Sequence, residues 1–201
     1  MFELTCMDKY PQLAVFPEVS GELVHRPEVN TPPRRKLSRE ERQLGPSCNL
    51  SDGIYIVTVS ANTPHERFDA AHLLNLASHG KRSTHANGFI PTDNYDSAVA
   101  VVNGRVVGGV IADRERVGHL HVRLRSNSAR ALSGPRRLCP IVFDLWVHPA
   151  HRRRRLAQQL LLAMASHFRR SVGELGFRVP ISTAAVHLLR SMGLTEILGW
   201  A

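Results

Sequence analysis

Ile141 to Val147 forms an apolar run that breaks at Val147-His148-Pro149 and then meets four consecutive arginines, Arg152 to Arg155. Proline cannot donate to a β-ladder, so a buried strand ends there. From Leu156 the apolar positions change period: Leu156, Leu160, Ala163, Met164 and Phe168 fall at helical spacing, while Gln158, Gln159 and Arg169 take the opposite face. The order is therefore strand, tight turn, helix. The first turn of such a helix offers unpaired backbone N–H groups and the positive end of the helix dipole, a natural seat for phosphate. Arginines at that place oppose the dipole by about 0.3–1 kcal/mol per charge. The cluster calls for an anion to offset it, and a phosphate-bearing ligand, a plain basic surface and a nucleic-acid contact all remain open from these residues alone.

The rest of the composition narrows the setting. At 201 residues, with 43% hydrophobic and 21% charged residues, the chain suits one soluble globular domain and a short extension. A net charge of +9 favours acidic ligands without choosing among them. No apolar stretch reaches membrane-spanning length, and the first residues, MFELTCMDKY, lack the basic-then-apolar order of a secretion signal. The expected location is cytoplasmic, with no membrane partner. Cys6, Cys48 and Cys139 are scattered and odd in number, which fits reduced thiols rather than a disulfide framework or zinc ribbon. His119-x-His121 has no third ligand at a recognisable spacing, so no metal is expected.

Residues 1–50 hold half of the twelve prolines and no sustained period, and read as an irregular Pro-rich N-terminal arm. Residues 51–201 read as the folded domain. Gly53 to Val59 is a β-rich run, followed by Thr63-Pro64-His65-Glu66, the pattern of a capping box opening a helix that Gly80 closes. Residues 81–94 are polar and turn-rich, a loop able to border a site. Ala98 to Val102 and Arg105 to Ala112 flank Asn103-Gly104, which signals a hairpin through a type I′ turn. Gly108-Gly109 within the second strand implies a bulge or a close approach. His119 to Leu124 alternates enough for one further short strand in the basic stretch from Arg116 to Arg137. A helix over 154–170, an extended piece near Phe177 to Ile181, a helix from Thr183 to Met192 and a last strand from Thr195 to Trp200 complete the series.

This order, together with Val147-His148-Pro149-Ala150-His151-Arg152-Arg153-Arg154-Arg155-Leu156-Ala157, resembles the GCN5-related N-acetyltransferases, whose signature runs V-x-P, two residues, then R/Q-x-x-G-x-G/A at the start of a long helix. The resemblance covers roughly residues 53–200. It implies an α/β (α+β) fold with a central mixed, mostly antiparallel sheet flanked by helices, and an acyl-CoA-dependent N-acyltransferase that passes an acetyl or other small acyl group to an amine in a ternary complex. It implies acetyl-CoA as co-substrate and an unidentified amine acceptor as partner. The residues it assigns to the cofactor are Trp146, Val147, Arg152, Arg153, Arg154, Arg155, Leu156 and Ala157, with backbone N–H groups near Trp146 and Val147 facing the oxyanion.

Two positions depart from that pattern. Position 155, glycine in most relatives, is arginine. A helical φ would not demand glycine there, and the cohesin acetyltransferases also tolerate a basic residue. At Leu189 many relatives place the tyrosine that protonates the departing thiolate, which leucine cannot do. The strand places where relatives often hold a base are Ile141 and Phe143, and neither accepts a proton. Asp144 is the only acid on the strand, but alternation turns it to the face of Trp146 and His148. His187 and Ser182 read as surface or capping residues, so no catalytic residue is assigned. Two alternatives to an enzyme stand: a non-catalytic CoA-binding sensor or scaffold, and a basic nucleic-acid module, the latter opposed by an aromatic content of 6% without a basic–aromatic stacking pattern.

Overall fold

The computed structural model describes residues 14–16, 36–60, 62–79, 91–125 and 129–200. Most of the expected 81–94 loop and most of the N-terminal arm lie outside the described residues. Seven strands form one sheet: β1 (Ala14–Phe16), β2 (Gly53–Val57), β3 (Tyr95–Val102), β4 (Arg105–Leu124), β5 (Ala129–Val147), β6 (Gly176–Arg178) and β7 (Glu196–Trp200). The helices are α1 (Arg39–Leu44), α2 (His65–His79), α3 (Leu156–His167) and α4 (Thr183–Ser191). Pairing is antiparallel from β2 to β5 and parallel for β1–β2, β5–β6 and β6–β7, while β7 also pairs antiparallel with β4. The sheet is thus mixed and mostly antiparallel, as expected.

Both faces of the sheet are covered. On one face Leu156, Leu160 and Met164 of α3 pack on Ile54, Ile56, Val107 and Val110, all at most 1% exposed. On the other, Ala70, Ala71 and Leu74 of α2 pack on Val57, Val99, Val106 and Ile111. Each fully buried Leu, Ile or Val contributes roughly 1.5–3 kcal/mol. α2 comes so close that a Cβ on Gly109 would lie 2.0 Å from Leu74 Cδ2 and 2.8 Å from the Ala98 carbonyl oxygen, which explains this glycine as a close approach. The neighbouring irregularity is a bulge as well: Ala100 pairs with Gly108 but Val101 with Val106, leaving Val107 as the extra residue. Asn103 and Gly104 adopt φ of 52° and 63°, the positive pair that a type I′ turn requires.

Three expectations change. The short strand expected over His119 to Leu124 is the outer half of the 20-residue β4, which pairs with β5 across bulges near Asp113 and Gly118 and is flanked by β7. Bulges absorb the irregular pattern that made the basic stretch look broken. Within the segment read as an irregular arm, Ser38 opens α1 through a reciprocal capping box: its Oγ accepts from Glu41 N–H, and the Glu41 carboxylate accepts from Ser38 N–H. The expected 154–170 helix is shorter, because the arginines before Leu156 lie in a turn. No helix among the described residues is long and apolar enough to cross a membrane.

Candidate acyl-carrier site

The site begins where two strands part. β5 and β6 pair only at Ile141–Gly176 and Val142–Phe177. One residue further, β5 bulges at Phe143, since Asp144 faces Ile111 while Val142 faces Ala112. The bulge turns the Phe143 ring to the α2 side, where it lies edge-on to Tyr95 at 5.4 Å and 5.3 Å from Trp200, with the Arg116 guanidinium over it at 5.3 Å. Beyond the bulge, β5 runs on without β6 as neighbour, leaving a slot along residues 143–147.

Backbone alternation decides which groups look into that slot. His148 N–H donates to the Val107 carbonyl at 2.8 Å, so it points toward β4. Trp146 N–H follows it to the same side, and the Trp146 ring packs with the α2-side cluster. Leu145 and Val147 therefore direct their N–H and C=O groups to the slot edge. The Val147 carbonyl accepts from Arg152 Nε at 3.2 Å.

The turn into α3 has a particular backbone. A 3₁₀ turn, Pro149–His151, leads to Arg152 in extended conformation, then Arg153 at φ 61° and Arg155 at φ 62°, ψ 8°. Position 155 is left-handed, not helical, which corrects the expectation and gives a physical reason for glycine in relatives: an L-residue there is strained by roughly 1–2 kcal/mol. Left-handed residues before a helical one aim successive N–H groups into a common concavity, an anion-binding nest. The first helical bond runs from Gln159 N–H to the Arg155 carbonyl at 3.1 Å, so the N–H groups of Leu156, Ala157 and Gln158 have no helical acceptor.

Of the eight residues the sequence assigns to the cofactor, Val147, Arg152, Arg153, Arg155, Leu156 and Ala157 line one cavity of about 260 Å³, and Trp146 and Arg154 do not. His151, Gln158, Leu188 and Ser191 complete it, with Gln158 Nε2 donating to Ser191 Oγ at 3.0 Å and tying α3 to α4. His151 sits inside the signature and could have been found from that position. The α4 residues carry no local signal. Leu189 is 1% exposed in the core, so its neighbour Leu188 faces the cavity. Burial first, and then the charge of Arg154, push the His151 imidazole below its ordinary pKa. The chain holds no acidic residue between Asp144 and Glu174, and none of the residues lining the cavity is acidic, so the cavity is cationic.

The remaining acid–base candidates stay apart from it. Asp144 is half-buried on the face of Trp146, Ser182 caps α4 by accepting from Ala185 N–H at 3.2 Å, and His187 is exposed. Ile141 is fully buried.

Residues 64–194 match the Acetyltransferase (GNAT) family. The structure is similar to the xEco2 acetyltransferase domain bound to a CoA conjugate, with 19% identity, a TM-score of 0.55 and coverage of 76% of this chain and 95% of that one. Another structure of the xEco2 acetyltransferase domain gives 18% identity and a TM-score of 0.58 over 76% and 92%. An aminoglycoside acetyltransferase, meta-AAC0020, from an uncultured soil metagenomic sample, in complex with trehalose, gives 16% identity and a TM-score of 0.43 over 71% and 87%, too low to carry an argument. At these identities the likeness is one of fold. No curated protein matches the sequence significantly.

Proposed function

The chain belongs to the GNAT acetyltransferase family, and from that premise we propose that it transfers an acetyl or other small acyl group from acyl-CoA to an amine held beside it. One observation carries the reading: the nest of Arg153, Arg155 and the amides of Leu156, Ala157 and Gln158, which lack helical acceptors, opens onto the same cavity as the edge of β5 at Val147 that β6 leaves without a strand neighbour. The amides and guanidinium groups suit a diphosphate. The slot edge suits a thin amide-bearing arm, which Leu145 and Val147 can pair as a strand would. The thioester supplies an acyl carbon at which the C–N bond forms and the C–S bond breaks, the amine proton leaving and the thiolate taking one up. The N–H groups of Leu145 and Val147 are placed to donate to negative charge developing on the acyl oxygen. Ile141 and Phe143 cannot accept a proton, so an ammonium whose ordinary pKa is about 10.4 for lysine loses it to another base, to a water chain or by desolvation before attack.

A second reading, a CoA-binding protein without catalysis, is favoured by one observation: Leu189, in the place of the family's tyrosine, is apolar and buried. Calorimetry with acetyl-CoA, CoA and a short DNA duplex tests the carrier, with micromolar CoA binding and no duplex binding expected. Duplex binding without CoA binding would replace the proposal by the nucleic-acid reading. Thiol release with small amines, peptides and proteins then separates enzyme from sensor, silence across all three favouring the sensor.

A further inference from the structure

His148 lies outside the cavity lining, yet three separate parts of the molecule meet on it. The residue is 5% exposed, its own N–H is bonded to the β4 bulge at Val107, and its Nδ1 accepts from Ala150 N–H at 3.3 Å. Nε2 lies 3.1 Å from the carbonyl oxygen of Arg42 at the end of α1. The two ring contacts assign the tautomer, because an amide N–H can only donate and a carbonyl can only accept. Nδ1 is the acceptor and Nε2 carries the hydrogen. Nδ1 thereby does for the Pro149–His151 turn what a serine or aspartate oxygen does at a helix N-cap. That turn sets where Arg152 leaves and hence where the left-handed Arg153 and Arg155 lie. The ring also stands edge-on to His151 at 6.2 Å, on the cavity side, and to Trp146 at 5.9 Å, on the other.

We propose that His148 is a positioning residue: its Nδ1 holds the arginine turn in the phosphate-receiving shape, and its Nε2–H ties that turn to α1, so that the two halves of one imidazole serve binding and stability separately. The proposal rests on the acyl-CoA reading of the cavity. Asparagine places an acceptor near the position of Nδ1, and glutamine places a donor near that of Nε2, so the two functions can be split. The measurement is CoA affinity by calorimetry together with thermal unfolding, neither of which needs the amine acceptor. His148→Asn is expected to bind CoA within about twofold of the unsubstituted protein but to melt earlier. His148→Gln is expected to keep most of the melting temperature and to bind about five- to tenfold more weakly. His148→Ala loses both, and if it does not fold the isosteric pair still decides. A His148→Gln protein that binds CoA as well as the original, or a His148→Asn protein that binds as poorly as His148→Gln, overturns the proposal. If the original protein does not bind CoA, the acyl-carrier reading falls and this inference with it, an outcome distinct from both.

Discussion

The two ends of α3 treat charge in opposite ways. At its C-terminal end, about 18 Å from the cavity by helix rise, Asp96 is 1% exposed and its carboxylate accepts from Arg114 Nε at 3.0 Å, Arg114 Nη2 at 2.8 Å and His167 Nε2 at 2.8 Å. Next to it Asp113 accepts from Arg116 Nε at 2.6 Å. There Arg114 and Arg116 each pair with a buried acid, and the bonds to Asp96 stitch β3, β4 and α3 together. At the N-terminal end Arg152, Arg153 and Arg154 have no ion pair among the described residues, and the nearest acids in sequence are Asp144 and Glu174. Charge that the fold satisfies for itself is structural; on the acyl-CoA reading proposed above, the charge left unpaired at the other end is what the carrier satisfies.

This contrast can be broken most severely at Asp96. Asp96→Ala removes the acid from a buried network and is expected to cost about 3 kcal/mol in urea unfolding, with CoA affinity of the folded fraction unchanged. A small stability loss would mean that the two ends are not different in kind. Arg153→Ala should behave in reverse, weakening CoA binding about tenfold by loss of a charge-assisted contact while leaving stability level or raising it by about 0.3–1 kcal/mol as a charge opposed to the dipole is removed. Arg155→Gly sharpens the point further. Releasing the left-handed strain of roughly 1–2 kcal/mol, less the roughly 0.5–1 kcal/mol of extra backbone entropy that glycine loses on folding, should stabilise the fold, so a gain in melting temperature with a loss of affinity would show that the side chain is kept for a ligand.

The smallest effect concerns protons. Burial first, then Arg154, hold the His151 imidazole below its ordinary value, so in the unliganded protein its stabilising share is present above about pH 6.5 and lost as pH falls. A bound phosphate favours the imidazolium and raises that pKa. CoA binding should therefore take up a fraction of a proton at pH 6, seen as a buffer-dependent heat in calorimetry, and His151→Gln should lose that uptake.

Local signals made much of this legible in advance. Asn103-Gly104, the change of period at Leu156 and the V-x-P turn each confine their evidence to a few neighbouring residues, and the hairpin, α3 and six of the ten residues lining the cavity followed. What escaped depends on residues far apart. The bulge at Phe143 reverses the face that strict alternation would give that ring, and only the pairing with Ile111 and Ala112 reveals it. The left-handed state of Arg153 and Arg155 is imposed by the turn, against the preference of arginine. The link from His148 to Arg42 joins positions with no pattern in common. α1 was itself readable, through Ser38 and Glu41, inside a segment whose prolines suggested irregularity.

The double pairing of β7 bears on how quickly such a molecule can assemble. Its ladder with β4 joins Val122 to Ile197, and its ladder with β6 joins neighbours that are themselves held to β5. A segment that must satisfy two distant edges at once contributes little until both are in place, because the entropy of closing the intervening chain is spent before the contacts form. The kinetics of refolding are thus expected to be slow for a chain of this size, with the docking of this last ladder as the step that ends them.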